Sequence, residues 1–580
     1  MSITDINSKK ILLVEYDYPI NRNQLLNYSA GIWKWNITPG SIVVTDDNSN
    51  TGYYGYTNTI IYNVQSLTVN GLIYLKVNAL TDLNTQDEAF YYDTATYTIY
   101  ITFTSFEPWL DQDIFLGAVV GYSKETDKIG NVFFANYYKP LVKSVTGIKK
   151  SKDPLFYGLL KFNTGTIKFI NNTGEFDDWR DRRVYRQPER LLLGEQGGAY
   201  SSFVRVGSGV IGEHTRSWTD FSVKYEDART VLSNKLPKNK LTLFEFPDLQ
   251  DDTIGQFKPI AYGSINNAKC ICLSDPDDSP SVYTFLFVDT EYADALSLGV
   301  VKVNGVVVTP SPTGIDLTAG TFTLTSAQVG SDYSSVTASF IMPLSNGVSI
   351  IKDLMKNYAS TDYIDEYYDT TEMALAVTAC NDRPDSLYIK EESEVKKAIE
   401  KICVDIDGLF FQKDNGLWTC RIYDEDRTPV ATIEFDEILE GEPSIDGNED
   451  QFLSSCIIQY NKNQDAGTFT SYENTTYQDI VFAEYKALQS KTFETGLTTE
   501  AGAILKSETI MAYSKHIEDI VKFKVGFQFY ALEIMDFVIC DPIRRRSGTD
   551  SKSIYEVIEI SKDLMTYKIQ LALKYVKEIA

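Results

Sequence analysis

The sequence predicts a multidomain, mainly β protein with one α+β segment. Three observations carry this. The chain has 580 residues, too many for one ordinary core, and a prior of roughly 100 to 200 residues per domain gives about three to five domains. Tyr (38) and Phe (30) are abundant and Val, Ile and Thr recur throughout, a composition suited to pleated, half-buried surfaces. Helical spacing of apolar residues is confined to two stretches, around 346–403 and 498–515, whereas alternation and Asn-Gly turns recur elsewhere.

Residues 1–152 read as an all-β accessory domain: LTVNGLIYLKV places Asn70-Gly71 between two alternating runs, as a type I′ hairpin requires, and ATYTIYITFTSF alternates strictly. Charge clusters at KKSKDP (149–154) and Pro154 interrupts the pattern, which marks a boundary. Residues 153–255 contain LLKFN, TIKFI, SSFVRV, WTDFSVKYED and KLTLFEF, five short strands that suggest a barrel or sandwich. Residues 256–343 read as a β-sandwich-like insertion around VKVNGVVV, with a turn at Asn304-Gly305.

Residues 344–440 form the α+β segment. Val348, Ile351, Leu354, Met355 and Tyr358 share a helical face, as do Val395, Ile399 and Ile402, and FFQKDNGLWTCRIY turns back through Asn415-Gly416. Residues 441–580 return to β apart from a helix over TTEAGAILKSETIMAYSK. There IVKFKVGFQFY puts Val521, Phe523, Val525, Phe527 and Phe529 on one face, and EVIEISKDLMTYKIQLALKYV reads as a closing hairpin.

Composition excludes several functions. Basic and acidic side chains number 54 and 80, a formal charge of −26 that repels nucleic acid over most of the surface. The seven cysteines (270, 272, 380, 403, 420, 456, 540) lack paired spacing and read as reduced, buried small residues. ILLV before Glu15 is too short for a signal-peptide core and no stretch reaches a membrane span, so a cytoplasmic fold is expected and the sequons at Asn27, Asn36, Asn171 and Asn474 are chance matches.

No catalytic, cofactor or metal site emerges. GTIKFINNTGEFDD (165–178) has the polar richness of a calcium loop, but it lacks the ligand spacing of an EF-hand and sits between alternating strands, so it reads as a turn. SDPDDSP (274–280) could gather carboxylates around an ion, but its two prolines and polar composition read as well as a solvated loop. Gly207, Gly209 and Gly212 match G-x-G-x-x-G, but the adjoining EHTRSWTDFSVKYED alternates like a strand and offers no helix N-terminus, so a β-turn is expected at the glycines. His214 and His516 are the two histidines, with no zinc-type cluster or nucleophile elbow around them. A carboxylate pair of the glycosidase kind has no spacing to single it out. WRDRRVYRQPER concentrates Arg180, Arg182, Arg183, Arg186 and Arg190, and Arg544 to Arg546 form a second group; the first suits a solvated loop, the carboxylates of a neighbouring subunit or, least, nucleic acid.

The order of segments resembles a known family. DPLFYGLLKFNTGTIKFINNTGEFDD, an arginine-rich stretch and SSFVRVGSGVIG are similar to the first domain of the tail hub, or baseplate hub, proteins of tailed bacteriophages and phage-tail-like particles. FETGLTTEAGAILKSETIMAYSK, VKFKVGFQF, LEIMDFVICDPIRRR and the closing hairpin are similar to the last domain of that family. The resemblance covers about 153–245 and 345–580. It implies tail-tube-like β-barrels in a homotrimeric ring that joins the tail tube to the tip and lets DNA pass. The implied partners are tail tube, tape-measure and other baseplate or tip proteins, and the implied location is the virion tail, made in the host cytoplasm. It carries no catalytic motif, cofactor or metal onto any position, and a non-enzymatic chain is expected. Two other readings of the composition are a glycan-binding or adhesive protein of a tail tip and a cell-wall-degrading tail enzyme.

Overall fold

The computed structural model describes ten backbone strands between 10 and 123. From 141 to 579 it describes all residues except 153–159, 164, 175, 178–184, 187, 196–201, 227, 276–279, 331–332, 360–366, 447–451, 516–519 and 541–551. The fold is mainly β, with an α+β segment in its middle.

Two large sheets organise the chain. In the first, Val142–Val145, Gly165–Ile170, Asp220–Glu226, Val204–Arg216 and Pro188–Glu195 lie side by side in that order, all antiparallel. Lys10–Pro19 adds to Pro188–Glu195 and carries the pairing on into Ile114–Ser123, so the strands before residue 124 continue this sheet. The second sheet has eight strands and draws on both halves of the sequence. Leu160–Asn163 and Ile148–Lys152 pair with Ser553–Asp563, which is followed by Lys568–Glu578, Ile520–Gly526 and Ile438–Asp446. Each sheet is an open path of strands, a half-barrel rather than a closed one.

Alternation explains why the two sheets meet. Ile167 and Phe169 on one strand, Phe221, Val223 and Tyr225 on the next, and Val521, Phe523 and Val525 in the second sheet are all buried, and all belong to one continuous core. Chain connections reinforce the union. After Val145 only Thr146 and Gly147 intervene before Ile148 enters the second sheet, and Gly165 re-enters the first directly after the strand Leu160–Asn163. Strands on both sides of residue 152 thus serve both sheets.

Three further units hang on this frame. Residues 264–341 form two four-stranded sheets, one built around Val336–Ile341 and the other around Val282–Leu286, enclosing Phe285, Phe287, Phe322 and Phe340. Asn304 and Gly305 have φ of 52° and 77°, the left-handed pair that a two-residue type I′ turn needs. The α+β segment contains helices Gly347–Leu354, Thr370–Ala379 and Val395–Asp405 over the hairpin Gly408–Gln412/Trp418–Ile422. Asn346 starts the first helix by accepting from the N–H groups of Val348 and Ser349, and Asp369 starts the second through Glu372 N–H. Finally, Ser455–Tyr460, Thr470–Asn474 and Ser490–Glu494 form a three-stranded sheet beneath helix Glu500–Ser514, which Thr499 caps.

Some expectations need correction. KLTLFEF (240–246) is a run of turns, not a strand: Thr242 O accepts from Glu245 N–H and Phe246 N–H. Burial does not follow its alternation: Leu241 is buried beside Leu249, Leu273 and Leu286, whereas Leu243, two residues on, and Phe244 are exposed, and Pro237 and Pro247 bracket the segment. The strand in IVKFKVGFQFY ends at Gly526, and Phe527–Phe529 form a 3-10 turn that keeps both phenylalanines buried. Arg190 lies inside the strand Pro188–Glu195 rather than in a loop.

Candidate functional site

The least expected feature of the frame is the inward face of the strand Ile148–Lys152. Ile148, Lys150 and Lys152 alternate with more exposed neighbours, so two lysines point into the protein. Each meets acids there. Lys150 Nζ lies 2.7 Å from Asp414 Oδ1 and 2.9 Å from Glu533 Oε2. Lys562 Nζ reaches the other oxygen of Asp414 and donates to Tyr530 O. Lys152 pairs with Glu556 at 2.5 Å, and Tyr513 Oη accepts from Lys152 and donates to Glu556 Oε2. Lys574 Nζ donates to Tyr513 O at 3.1 Å.

The chain of charges continues through the hairpin of the α+β segment. Arg421 donates from Nη1 to Asp536 Oδ1 and Ile534 O, each at 2.8 Å, and from Nε and Nη2 to the two carboxylate oxygens of Glu372, each at 2.9 Å. Glu372 also accepts from Thr419 Oγ1 and Lys413. One seam therefore ties the strand 148–152, the hairpin 408–422, helix Thr370–Ala379, helix Glu500–Ser514 and the turn 530–536.

Protonation is set by these contacts. Burial works against the charge of Lys150, but Asp414 and Glu533 outweigh it and hold its pKa above the usual lysine range. For Asp414 burial pushes upward and is overcome by Lys150 and Lys562, which leave its carboxyl below the usual range. Glu372 behaves alike: burial raises it, and the bidentate Arg421 contact brings it well below. Lys150, Asp414 and Glu372 therefore stay ionised, and a buried charged network of this kind fixes geometry more than it adds stability.

The polar turn after Gly165–Ile170 is a plug. Asn171 is buried; its Nδ2 donates to Asp177 Oδ1 and Ser217 O, and its Oδ1 accepts from Phe176 N–H at 3.0 Å. That clamp drives Phe176 into the core, where its ring stacks on Phe221 at 4.6 Å. Asn171 is committed to the backbone and to Asp177, as a turn residue is.

The glycine motif is also structural. Gly207, Gly209 and Gly212 lie inside the strand Val204–Arg216, not in the expected turn. A Cβ on Gly209 would stand 2.4 Å from Glu226 O, and one on Gly207 2.5 Å from Ile148 Cδ1, so bare backbone is needed where the strand passes its neighbours.

Other candidates are dispersed. His214 packs against Phe221 on the first sheet, and His516 lies outside the described residues. Arg180, Arg182, Arg183, Arg544, Arg545 and Arg546, and Pro276 to Ser279 of the acidic loop, lie outside them too. Arg186 is exposed and stacks near Tyr185. Among the described residues no group of three or more His, Cys, Asp or Glu is placed to hold a metal ion, and no helix is long and apolar enough to cross a membrane. A cavity of about 540 Å³ lies between the turns around 250–259, the sandwich and residues 388–392; Lys269, Lys390, Asp252 and Glu391 mix both charge signs along its wall. The chemistry on offer is that of a rigid, charge-pinned frame.

No protein-family model and no curated protein matches the chain. Solved structures do resemble it. A tail protein from Neisseria meningitidis MC58 has 10% identity and a TM-score of 0.35, covering 75% of this chain and 96% of its own. The 43 kDa tail protein of prophage MuSo2 from Shewanella oneidensis has 9% identity and a TM-score of 0.34, covering 74% and 92%. A virion of a native gene transfer agent particle contains a chain with 12% identity and a TM-score of 0.36, covering 56% and 85%. The chain is thus similar to tail and virion proteins, and its functional reading rests on the geometry above.

Proposed function

We propose that the chain is a structural, non-enzymatic hub of a phage or phage-like tail. In this reading three copies form a ring that joins the tail tube to the tip or baseplate and leaves a passage for DNA. The observation that carries it is the pair of half-barrel sheets fused through one core, with strands from opposite ends of the sequence paired in the second sheet. A ring subunit needs such a block, because a hinge between its sheets would spoil closure. The buried seam supplies the stiffness.

Sheet edges support assembly. Val142–Val145 ends the first sheet and Ile438–Asp446 ends one path of the second, and neither has a further strand partner among the described residues. Edges of this kind are covered in a working protein, and neighbouring copies in a ring would cover them. The partners of this reading are tail tube, tape-measure and other tip proteins, and its place is the virion tail.

Electron microscopy and native mass spectrometry of the purified chain, alone and with a tail tube protein, test the proposal. Closed threefold rings are expected. A chain that stays monomeric in both samples at high concentration refutes it.

A further inference from the structure

Away from the seam, two carboxylates meet where the α+β segment, the sandwich and the last segment converge. Asp385 and Asp405 are 0% and 1% exposed. Asp385 Oδ1 accepts from Ser386 N–H at 2.7 Å, and Asp405 Oδ2 accepts from Gly496 N–H at 2.9 Å. The second oxygen of each, Asp385 Oδ2 and Asp405 Oδ1, is buried without a hydrogen-bond partner. Both carboxyls border one glycine: a Cβ on Gly496 would lie 2.3 Å from Asp385 Oδ1 and 3.0 Å from Asp405 Oδ2.

Backbone bonds converge on the same point. Asp385 N–H donates to Ser345 O, Ser386 N–H to Gly496 O and Thr498 N–H to Pro384 O, while a Cβ on Gly263 would strike Asp385 O. The cations nearby are largely committed elsewhere. Lys506 pairs with Asp407 at 2.5 Å and donates to Val404 O, and Arg383 pairs with Asp407 at 2.7 Å. Lys401, on the helix that ends at Asp405, and Lys506 both still act on the pair, and Asp407 adds a further negative charge beside Asp405. The helix Gly347–Leu354 begins beside Asp385, but Asn346 already occupies its Val348 and Ser349 N–H groups.

We infer that Asp385 and Asp405 form a proton-binding site around Gly496, a pair of buried carboxyls that together retain one proton and lock the α+β segment to the last segment until that proton is lost to solvent. Two buried carboxylates bordering one glycine cannot both be charged cheaply, and a proton on one of them removes a charge that burial penalises. Burial and then the Asp405 charge push Asp385 well above the carboxylate range. Burial likewise pushes Asp405 up, to about 6, with Lys401 and Lys506 opposing.

Linkage sets the sign. An acid whose pKa is raised by folding contributes fully below its unfolded value, about 3.9, and loses that contribution as pH rises through the folded value. The joint is therefore tight at mildly acidic pH and loosens toward alkaline pH. It lies within one chain, so it is independent of ring assembly.

The test is hydrogen exchange of 384–386 and 495–498 in the full chain from pH 5.5 to 8.5, corrected for intrinsic rates, beside the infrared band of a protonated carboxyl at pH 7. In the wild type, opening should rise by up to about tenfold per pH unit for one proton released. Asp385→Asn keeps the Ser386 contact and replaces the proton with an amide hydrogen, so its slope should flatten and the carboxyl band should vanish. Asp405→Asn should do the same, and it decides the matter if the first variant does not fold. Equal pH slopes in the wild type and the folded variants, or a wild type with no protonated-carboxyl band at pH 7, overturn the inference.

Discussion

Replacing Lys150 by Met removes one member of a buried quartet and tests whether the seam acts as a unit. Lys150 and Lys562 face Asp414 and Glu533, with Lys150 3% exposed on its side chain and Glu533 5%. Without Lys150, Asp414 keeps Lys562 while Glu533 loses its lysine partner, and a buried uncompensated charge costs about 3–5 kcal/mol. Glu533→Gln in the same chain should restore much of this loss. The amide oxygen can keep the bond that Glu533 Oε1 accepts from Asp414 N–H at 2.7 Å, and the remaining Asp414–Lys562 pair is neutral. The double variant should be more stable than the sum of the two single changes by about 2–3 kcal/mol. Hydrogen exchange of strand 148–152 in increasing urea reads this opening free energy directly. A Lys150→Met cost below about 1 kcal/mol, or strict additivity with Glu533→Gln, would show that the four charges do not act together.

Phe176→Ala should cost about 3–5 kcal/mol in urea unfolding, because the ring is fully buried on Phe169 and Phe221; a loss under about 1 kcal/mol would mean the turn is not a plug. Phe523→Ala should cost a similar amount, about 3–5 kcal/mol, while exposed Lys524→Ala stays within about 0.5 kcal/mol, and equal losses would contradict the strand face. Asp414 and Glu372 have pKa values depressed by folding, so their contribution is complete above about pH 4 and falls as pH drops through their folded values. Glu372→Gln should flatten acid unfolding measured by circular dichroism, and an unchanged acid limb would remove Glu372 from the account. Replacing Arg182, Arg183 and Arg186 together with Ala should leave the fold intact and weaken ring assembly in native mass spectrometry, most clearly at high salt; wild-type assembly at low and high salt would make that stretch a solvated face.

Periodicity made much of the fold legible where the residues facing one core are close in sequence. Val348, Ile351, Leu354, Met355 and Tyr358 are buried together as their spacing predicts, and the hairpins at 301–308, 408–422 and 553–578 pair as their turns require. Helix Thr370–Ala379 escaped because it buries little beyond Met373 and Ala376 and so shows almost no apolar stripe. Pro188–Glu195 escaped for a different reason. Its arginine-rich approach dominates the local composition, while the strand character lies in Leu191, Leu192 and Leu193, buried between Lys10–Pro19 and Val204–Arg216.

The seam was hidden by the chemistry that makes it useful. Lysines at 149, 150 and 152 look like a solvated linker, since charge density is the usual sign of exposure. Two of the three are nevertheless buried, and their partners Asp414, Glu533 and Glu556 lie far along the chain, where no local window can see them. A period of two was present at Ile148, Lys150 and Lys152, but alternation says only that these residues share a face, not which way the face points. Direction is settled by the second sheet, which assembles around this strand from residues 520–578. A lysine on that face is tolerable only once its distant acid has arrived, so the seam also makes correct pairing of the chain's two ends a condition of stability. A wrong register of Ile148–Lys152 on Ser553–Asp563 would leave Lys152 and Glu556 buried and unpaired, a penalty that an all-apolar strand would not impose.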